Sequence, residues 1–242
     1  SPEVLIDISK IDELKKIEDR GDHIVIGGGV TFTQIVESDL FLGNLLGLHK
    51  ACKMVGSPQI RNMGTIGGNI ANGSAAADSV PPLIALDAVV SLLSQNGVRK
   101  IGLEAYYHDP IKENELLTEV SFAKPKENEV LTFSKLGLRK ALAISRLTLS
   151  SFVEFEGGKV KSVRVASGAL AKFPMREVEV ENYLTGKVLD EESVEVAIEK
   201  LKDSMDIRLK GRSTLPYKRV AISTILREAL EEAMKFGEEV RA

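Results

Sequence analysis

The 242-residue chain contains a single cysteine, Cys52, and no tryptophan. One cysteine excludes an internal disulfide. It also excludes an iron–sulfur cluster held by this chain alone, because such a cluster needs about four cysteine ligands. The three histidines lie far apart in the sequence, and no metal site is predicted. Sparse cysteine is typical of a reducing compartment, so we expect a cytoplasmic protein.

The chain also lacks an excess of basic residues and a long apolar run. It has 32 lysines and arginines against 35 acidic residues, for a net charge of −3. Nucleic-acid-binding proteins usually carry a basic face, and a membrane helix needs about 20 consecutive apolar residues. The sequence therefore predicts neither a nucleic-acid partner nor a membrane segment.

Residues 55–72 form the most informative segment, which reads VGSPQIRNMGTIGGNIAN. Glycines allow a ligand to approach the backbone closely, and successive backbone amides that face one concavity bind anions. We predict that the amides of Thr65–Asn69 donate to the pyrophosphate of a dinucleotide, with Gly67 and Gly68 leaving room for it. The alternative is a tight turn between two elements. Neither a P-loop nor a Rossmann pattern is present.

The first half of the chain is predicted to mix short helices and strands. Gly27-Gly28-Gly29 is interpreted as a structural turn, and Tyr106–Pro110 as a loop. The predicted helices are Ile11–Ile17, one capped by Thr31 or Thr33, Leu40–Val55, one starting at Ser57-Pro58, and one through Leu83–Leu86. The predicted strands are His23–Ile26, Val89–Leu93 and Leu116–Phe122, with a hairpin signal at Asn96-Gly97.

Residues 123–128, AKPKEN, are polar and contain a proline, which predicts a boundary between domains spanning 1–124 and 128–236. Beyond it, alternating strands are followed by helices, so the predicted class is α+β with an antiparallel sheet. The predicted strands are Glu129–Leu136, Ala143–Glu156 and Lys159–Ser167, the last two joined at Gly157-Gly158. The predicted helices are Arg176–Leu184, Glu191–Met205 and Tyr217–Phe236.

Several motifs together resemble one family, the FAD-binding medium subunits of molybdenum hydroxylases, which include xanthine, carbon monoxide and nicotinate dehydrogenases. The similar segments are GSPQIRNxGTIGGN at 56–69, ADSxPPLxALDA at 77–88, IGGGVT at 26–31, KLGLR at 135–139 and SxxPYKR at 213–219. The resemblance implies a vanillyl-alcohol-oxidase-type (PCMH-like) FAD-binding domain followed by an α+β C-terminal domain.

The resemblance also implies a role in electron transfer. In this family, electrons leave a substrate at the molybdopterin site of a large subunit, cross the 2Fe–2S clusters of a small subunit and arrive at FAD. An external acceptor such as NAD then takes them. The lack of cluster ligands in this chain agrees with that division between subunits.

Individual site residues follow from the same resemblance. Thr65, Ile66, Gly67, Gly68 and Asn69 match the flavin loop that contacts the pyrophosphate. Four further positions, Val55, Asp78, Leu116 and Lys135, match contacts with the flavin ring or its ribityl and adenosine side. A lysine near the ring stabilises the anionic reduced flavin. For Lys135, a solvated strand lysine is the equally weighted alternative.

The family pattern has another flavin loop, which precedes the part that resembles residues 2–9. We expect that this N-terminal lobe is absent from the chain as given. FAD is then bound weakly unless a separate N-terminal segment completes the site. Two other functions stay open from the sequence: a stand-alone FAD oxidoreductase, and a non-catalytic assembly module with an incomplete flavin site.

Overall fold

The computed structural model describes residues 4–139 and 143–241 and contains two antiparallel sheets. The first has the order β1-β2-β5-β3-β4. Its strands are β1 (Ile17–Asp19), β2 (His23–Gly27), β3 (Val89–Ser94), β4 (Gly97–Gly102) and β5 (Leu116–Ala123). Strand β5 lies between β2 and β3, so its start lies beside the glycines that follow β2.

Five short helices connect β2 to β3, and a sixth follows β4. They are α1 (Phe32–Glu37), α2 (Leu46–Lys53), α3 (Pro58–Met63), α4 (Ile66–Asn72), α5 (Val80–Ala85) and α6 (Leu103–Tyr106). Side-chain caps start three of them. Thr31 forms a capping box with Gln34, while Ser57 and Thr65 accept from the backbone at α3 and α4. These caps satisfy amides that the first helical turn leaves without partners.

The second sheet has the order β10-β9-β8-β6, with β7 also paired to β8. Its strands are β6 (Glu129–Leu131), β7 (Ser134–Gly137), β8 (Ser145–Glu156), β9 (Lys159–Gly168) and β10 (Met175–Arg176). The helices that follow are α7 (Val178–Leu184), α8 (Glu191–Arg208) and α9 (Leu215–Arg241). Ile222, Leu226 and Leu230 of α9 are fully buried at helical spacing, so one face of this helix packs into the core.

Each sheet has its own apolar core, and the two cores meet. Leu131, Phe152 and Ala166 belong to the second sheet but pack into the core of the first. Helix α5 contacts both β8 and β9. The sheets are therefore held together by shared apolar packing as well as by the chain between them.

The α+β class is confirmed, but several predicted boundaries were wrong. The helix predicted over Leu40–Val55 is two 3₁₀ turns followed by α2, because Leu42 is extended and Gly43 has φ of +58°. Ile17 lies in β1 rather than in a helix, and the strand predicted over Glu129–Leu136 is split into β6 and β7.

Two other expectations for the first sheet also need correction. The hairpin between β3 and β4 pairs Ser94 with Gly97, so its two-residue turn is formed by Gln95 and Asn96. Tyr106, predicted to lie in a loop, ends α6 and is buried together with Tyr107. Aromatic packing thus orders the start of that connection.

Two further features are absent from the described residues. None of their helices combines the length and the apolar character that crossing a bilayer demands. In the same part of the chain, no three histidine, cysteine, aspartate or glutamate side chains gather in a way that could hold a metal ion.

Candidate functional site

Three backbone segments meet at Gly67, the second residue of α4. The Gly67 amide donates to the Gly28 carbonyl oxygen at 3.0 Å. A β-carbon placed on Gly67 lies only 2.5 Å from that oxygen. One placed on Gly28 lies 2.3 Å from the Leu117 carbonyl oxygen. Both glycines are therefore required by backbone packing, and the structural interpretation of the turn after β2 is correct.

Gly68, by contrast, is exposed on the first turn of α4. A β-carbon there has one close neighbour, the Thr65 hydroxyl oxygen, at 3.0 Å. The prediction that both glycines leave room for a ligand was therefore wrong for Gly67, where the room is filled by the Gly28 backbone. The space beside Gly68 is open.

Three of the amides predicted to bind an anion, those of Ile66, Gly67 and Asn69, donate within the protein. Those of Ile66 and Gly67 donate to the carbonyls of Val30 and Gly28, because Thr65 pairs with Thr31 in an antiparallel bridge. The amide of Asn69 donates to the Thr65 carbonyl at 3.0 Å, as in any α-helix. The prediction that these three amides bind an anion was therefore wrong, because carbonyl oxygens of the protein already accept from them.

The Gly68 amide is the exception among these donors. It donates to the Thr65 side-chain hydroxyl at 3.1 Å rather than to a backbone carbonyl. A rotation of one side chain releases it, whereas the other amides need the backbone to move. Gly68 thus combines open space with an exchangeable donor at the start of α4, where the helix dipole also favours an anion.

A buried ion pair lies close to this loop. The Asn69 amide oxygen accepts from Ser79 at 2.8 Å, and the neighbouring Asp78 pairs with Lys135 of β7 at 2.6 Å. The Lys135 ammonium also donates to the Met54 carbonyl at 3.1 Å. The side chains of Lys135 and Asp78 are only 7% and 8% exposed. The alternative of a solvated strand lysine is therefore wrong.

Asp78 is held at both carboxylate oxygens. One oxygen accepts from Lys135, and the other accepts a short hydrogen bond from Ser145 of β8. Burial raises the pKa of Asp78 above its ordinary value, while the hydrogen bonds from Lys135 and Ser145 oppose that rise. Breaking a buried pair leaves an uncompensated charge, which is strongly destabilising. Ser145 had no sequence signal, because its role depends on the pairing of β7 with β8.

Lys135 lines a cavity of about 590 Å³ between the α2–α3 connection and β7. Other cationic side chains on its wall are Lys53, Arg61 and Arg139. The sequence contains no acidic residue from 40 to 77 or from 130 to 153. Asp78 lies beside this wall through its pair with Lys135, and Glu228 of α9 accepts from the neighbouring Ser134. Arg61 donates to the carbonyls of Val55 and Gly56 at 3.1 and 3.3 Å. This surface favours an anionic ligand.

The predicted site residues lie along one row of contacts. At one end, Leu116 begins β5, next to the Leu117 carbonyl that faces Gly28. The Gly28 carbonyl accepts from the Gly67 amide. Further along α4, Asn69 accepts from Ser79, which follows Asp78, and Asp78 pairs with Lys135. Val55 follows Met54, whose carbonyl accepts from Lys135. These contacts connect residues that are distant in sequence, and among the predicted site residues Lys135 lines the cavity.

Comparison with protein-family models identifies the family of the chain. Residues 1–125 match the FAD binding domain in molybdopterin dehydrogenase. Residues 132–233 match the carbon monoxide dehydrogenase flavoprotein C-terminal domain. The chain belongs to the FAD-binding medium subunits of the molybdenum hydroxylases. Its cofactor is FAD, and it is a subunit of an oxidoreductase.

Individual relatives support the same assignment over nearly the whole chain. The FAD-subunit of nicotinate dehydrogenase from Eubacterium barkeri is 32% identical over 235 residues, covering 94% of this chain and 79% of the relative. The carbon monoxide dehydrogenase medium chain of Afipia carboxidovorans is 28% identical over 237 residues, covering 96% and 82%.

A solved structure shares the architecture. A chain of the carbon monoxide dehydrogenase from Hydrogenophaga pseudoflava, which lacks the Mo-pyranopterin moiety of its molybdenum cofactor, has a TM-score of 0.87 at 27% identity. The match covers 95% of this chain and 81% of that one. The expected PCMH-like FAD domain with an α+β C-terminal domain is therefore consistent with a structure of the same family.

Proposed function

We propose that this subunit carries electrons from the 2Fe–2S clusters of a small subunit, through FAD, to an external acceptor such as NAD. A large molybdopterin subunit supplies the electrons. The observation that carries the proposal is the buried Lys135–Asp78 pair on the wall of a cationic cavity, close to the open start of α4. The names of relatives, which are medium chains and FAD-subunits of dehydrogenases, support it.

The residues present fit FAD. The cofactor needs room for its pyrophosphate, and the position of Gly68 is open with an exchangeable amide. It also needs compensation for negative charge, which Lys53, Arg61 and Lys135 supply along the cavity wall. When bound, FAD supplies the capacity to accept and release electrons.

Roles for the chain's own residues follow from this placement. Residues Thr65 to Asn69 hold the pyrophosphate, chiefly through the Gly68 amide and the side chains of Thr65 and Asn69. Ile66 is fully buried and anchors α4 beneath them. Lys135 stabilises negative charge on the ring, and Asp78 lies beside it.

Two apolar residues complete the proposed site. Val55 and Leu116 lie at opposite ends of the row of contacts and provide apolar surface to the ring without stacking against it. Neither side chain carries a charge or a proton that exchanges at neutral pH. Their contribution is to exclude water from the ring, which strengthens the electrostatic effect of Lys135.

The phosphate cradle is tested by Gly68→Val in the complex purified with its partner subunits. A branched side chain at Gly68 occupies the open space, so we expect absorbance near 450 nm, which reports bound FAD, to fall to a small fraction of wild type. The matched control is Ala71→Val, which places the same side chain at an exposed position of the same helix.

The two variants distinguish a local effect from a loss of helix stability. Full flavin content in Gly68→Val would remove the loop from the site. Equal flavin loss in both variants would assign the effect to α4 as a whole. Recovery of the chain without cluster-bearing and molybdenum-bearing partners, but with FAD, would instead favour a stand-alone flavoprotein.

Two further proposals concern the setting of the chain. We propose that the segment 123–128 separates an FAD domain at 1–124 from a C-terminal domain at 128–236, because β5 ends and β6 begins on either side of it.

We also propose a cytoplasmic location, because the chain has one cysteine and that cysteine is buried as a free thiol.

A further inference from the structure

Lys135, Asp78 and Ser145 form a buried group whose members come from three separate elements. Lys135 is on β7, Asp78 precedes α5, and Ser145 begins β8. The Lys135 ammonium contacts Asp78 at 2.6 Å and the Met54 carbonyl at 3.1 Å. Its position therefore does not depend on Asp78 alone, since the carbonyl holds it on the same cavity wall.

The two charges of this pair act on a nearby ligand with opposite signs. A positive and a negative charge 2.6 Å apart form a dipole, and its field falls off faster than that of a single ammonium. In a partly buried site, water screens these charges less than at the surface. The field of Lys135 at a ligand is thus set by whether Asp78 carries its charge.

We propose that Asp78 is the counter-ion that sets how much of the Lys135 positive charge acts on bound FAD, and that Ser145 holds Asp78 in this role. The proposal rests on the placement of FAD given above. Asp78 and Ser145 are positioning residues here, because both act on the flavin through Lys135.

Ser145 has this effect because its hydroxyl donates to the carboxylate. A hydrogen bond to the charged form of an acid favours that form, whereas burial favours the neutral form. Both influences act on Asp78. The ladder fixes Ser145 in place, since it pairs with Gly137 at the bulge that ends the β7–β8 pairing. The hydroxyl is therefore presented to Asp78 by the sheet itself.

Another titratable group beside Asp78 does not contribute a charge. Cys52 of α2 is fully buried, and burial followed by the negative charge of Asp78 raises the pKa of its thiol far above the ordinary value. The thiol is therefore neutral at neutral pH. Among these groups, the balance of charge therefore lies between Lys135 and Asp78.

The test is the midpoint potential of FAD in the assembled complex, measured by redox titration of its absorbance. Asp78→Asn removes the counter-charge but keeps the shape. We expect it to raise the potential by about 30 mV or more, equivalent to tenfold tighter relative binding of reduced FAD for a two-electron couple. Lys135→Met removes the ammonium, and we expect a lower potential. Changes of opposite sign are the signature of a counter-ion.

Ser145→Ala removes neither ionisable side chain but withdraws the hydrogen bond that favours the charged form of Asp78, and it is the sharpest variant. We expect it to raise the potential by less than Asp78→Asn does, with FAD content unchanged. The matched control is Ser150→Ala on the same strand, which loses a buried hydroxyl that donates to the Thr132 carbonyl at 2.5 Å. We expect no change of potential in the control.

The outcomes separate this inference from the proposed function. If Lys135→Met leaves the potential unchanged, the flavin ring is not near Lys135 and the placement of FAD fails. If Lys135→Met lowers the potential but Asp78→Asn lowers it as well or has no effect, only the counter-ion role is overturned. If Asp78→Asn does not retain FAD, its potential cannot be measured, and Ser145→Ala becomes the test. An unchanged midpoint potential of FAD in Ser145→Ala would then reject the inference.

Discussion

Adjacent glycines in this protein have different functions. Gly67 is needed because the Gly28 carbonyl oxygen lies where its side chain would be, at 2.5 Å from a β-carbon. Gly68 meets only a rotatable hydroxyl. The sequence showed that the loop is rich in glycine. It could not assign a task to each glycine, because the segment that approaches Gly67 is centred on Gly28, 39 residues earlier in the chain.

Gly67→Ala is predicted to destabilise the fold. The added methyl group must displace backbone, and such overpacking typically costs about 1–3 kcal/mol. Urea denaturation of the purified chain, followed by far-ultraviolet circular dichroism, measures the change. Gly68→Ala is the control, because the Thr65 side chain can rotate away, and we expect a smaller loss. Equal losses in the two variants would contradict the distinction.

The sequence also could not show which residues are the partners of Lys135. Its position in the KLGLR motif predicted proximity to a ligand, but its counter-ion is 57 residues away in sequence and Ser145 is reached only through strand pairing. Arg61 was visible as the one arginine in the loop, yet its bonds to Val55 and Gly56 appear only when α3 folds back. Local patterns predict elements, whereas charge partners require the tertiary structure.

At the scale of elements, the sequence predicted the helix cap at Ser57 and the hairpin at Gly157-Gly158. It offered Thr31 and Thr33 as alternatives for another cap and misplaced the turn at Asn96-Gly97. Thr31, Ser57 and Thr65 start helices, and Gly157-Gly158 joins β8 to β9 with positive φ at both glycines. Long apolar stretches were less informative. The leucines at 40–48 fit one amphipathic helix, but Gly43 and the extended Leu42 divide it. The spacing of apolar residues alone does not reveal that one residue has a backbone conformation incompatible with a helix.

The connection from β4 to β5 is fixed by an ion pair whose strength depends on pH. Arg99 donates to both oxygens of Glu115, at 2.9 and 2.8 Å. The hydrogen bonds from Arg99, and then from the Lys112 backbone, lower the pKa of Glu115 to about 2. A lowered pKa means that the pair stabilises the fold above the unfolded-state pKa, about 4.3, and that this contribution is lost as pH falls towards 2.

Glu115→Gln is therefore predicted to lower the free energy of unfolding at pH 7, with a difference from wild type that shrinks below about pH 4 and vanishes near pH 2. Chemical denaturation at a series of pH values gives both curves. Glu113→Gln, an exposed acid in the same connection, is the control. A difference that stays constant across this range would show that Glu115 acts through packing instead.

At the scale of the whole molecule, the apolar cores of the two sheets are in contact. Leu131, Phe152 and Ala166 pack with the first sheet although they belong to the second. Arg164 of β9 donates to the Ala85 carbonyl of α5 at 2.6 Å and stacks over Phe152. The change of pattern at 123–128 marked the position in the chain where the first sheet ends and the second begins. The contacts between the two sheets could not be predicted from the spacing of apolar residues.

Because the cores are shared, we predict that the chain unfolds in one transition. Far-ultraviolet circular dichroism is dominated by α8 and α9, of 18 and 27 residues, in the second half. In a Tyr183→Phe, Tyr217→Phe variant, the near-ultraviolet tyrosine signal reports Tyr106 and Tyr107 of the first half, whose ring centres are 5.5 Å apart. The two probes should share a midpoint in urea. Separate midpoints would mean that each half is stable without the other.

The distance in sequence between Asp78 and Ser145 has a consequence for biosynthesis. The two residues are 67 positions apart, so a growing chain presents the glycine loop well before β8 exists to hold the acid beside it. Under the placement of FAD proposed above, the pocket reaches its final charge balance only after the second sheet has folded. Cofactor loading then comes late in maturation, and the yellow colour of a preparation reports the fraction of molecules that have completed folding.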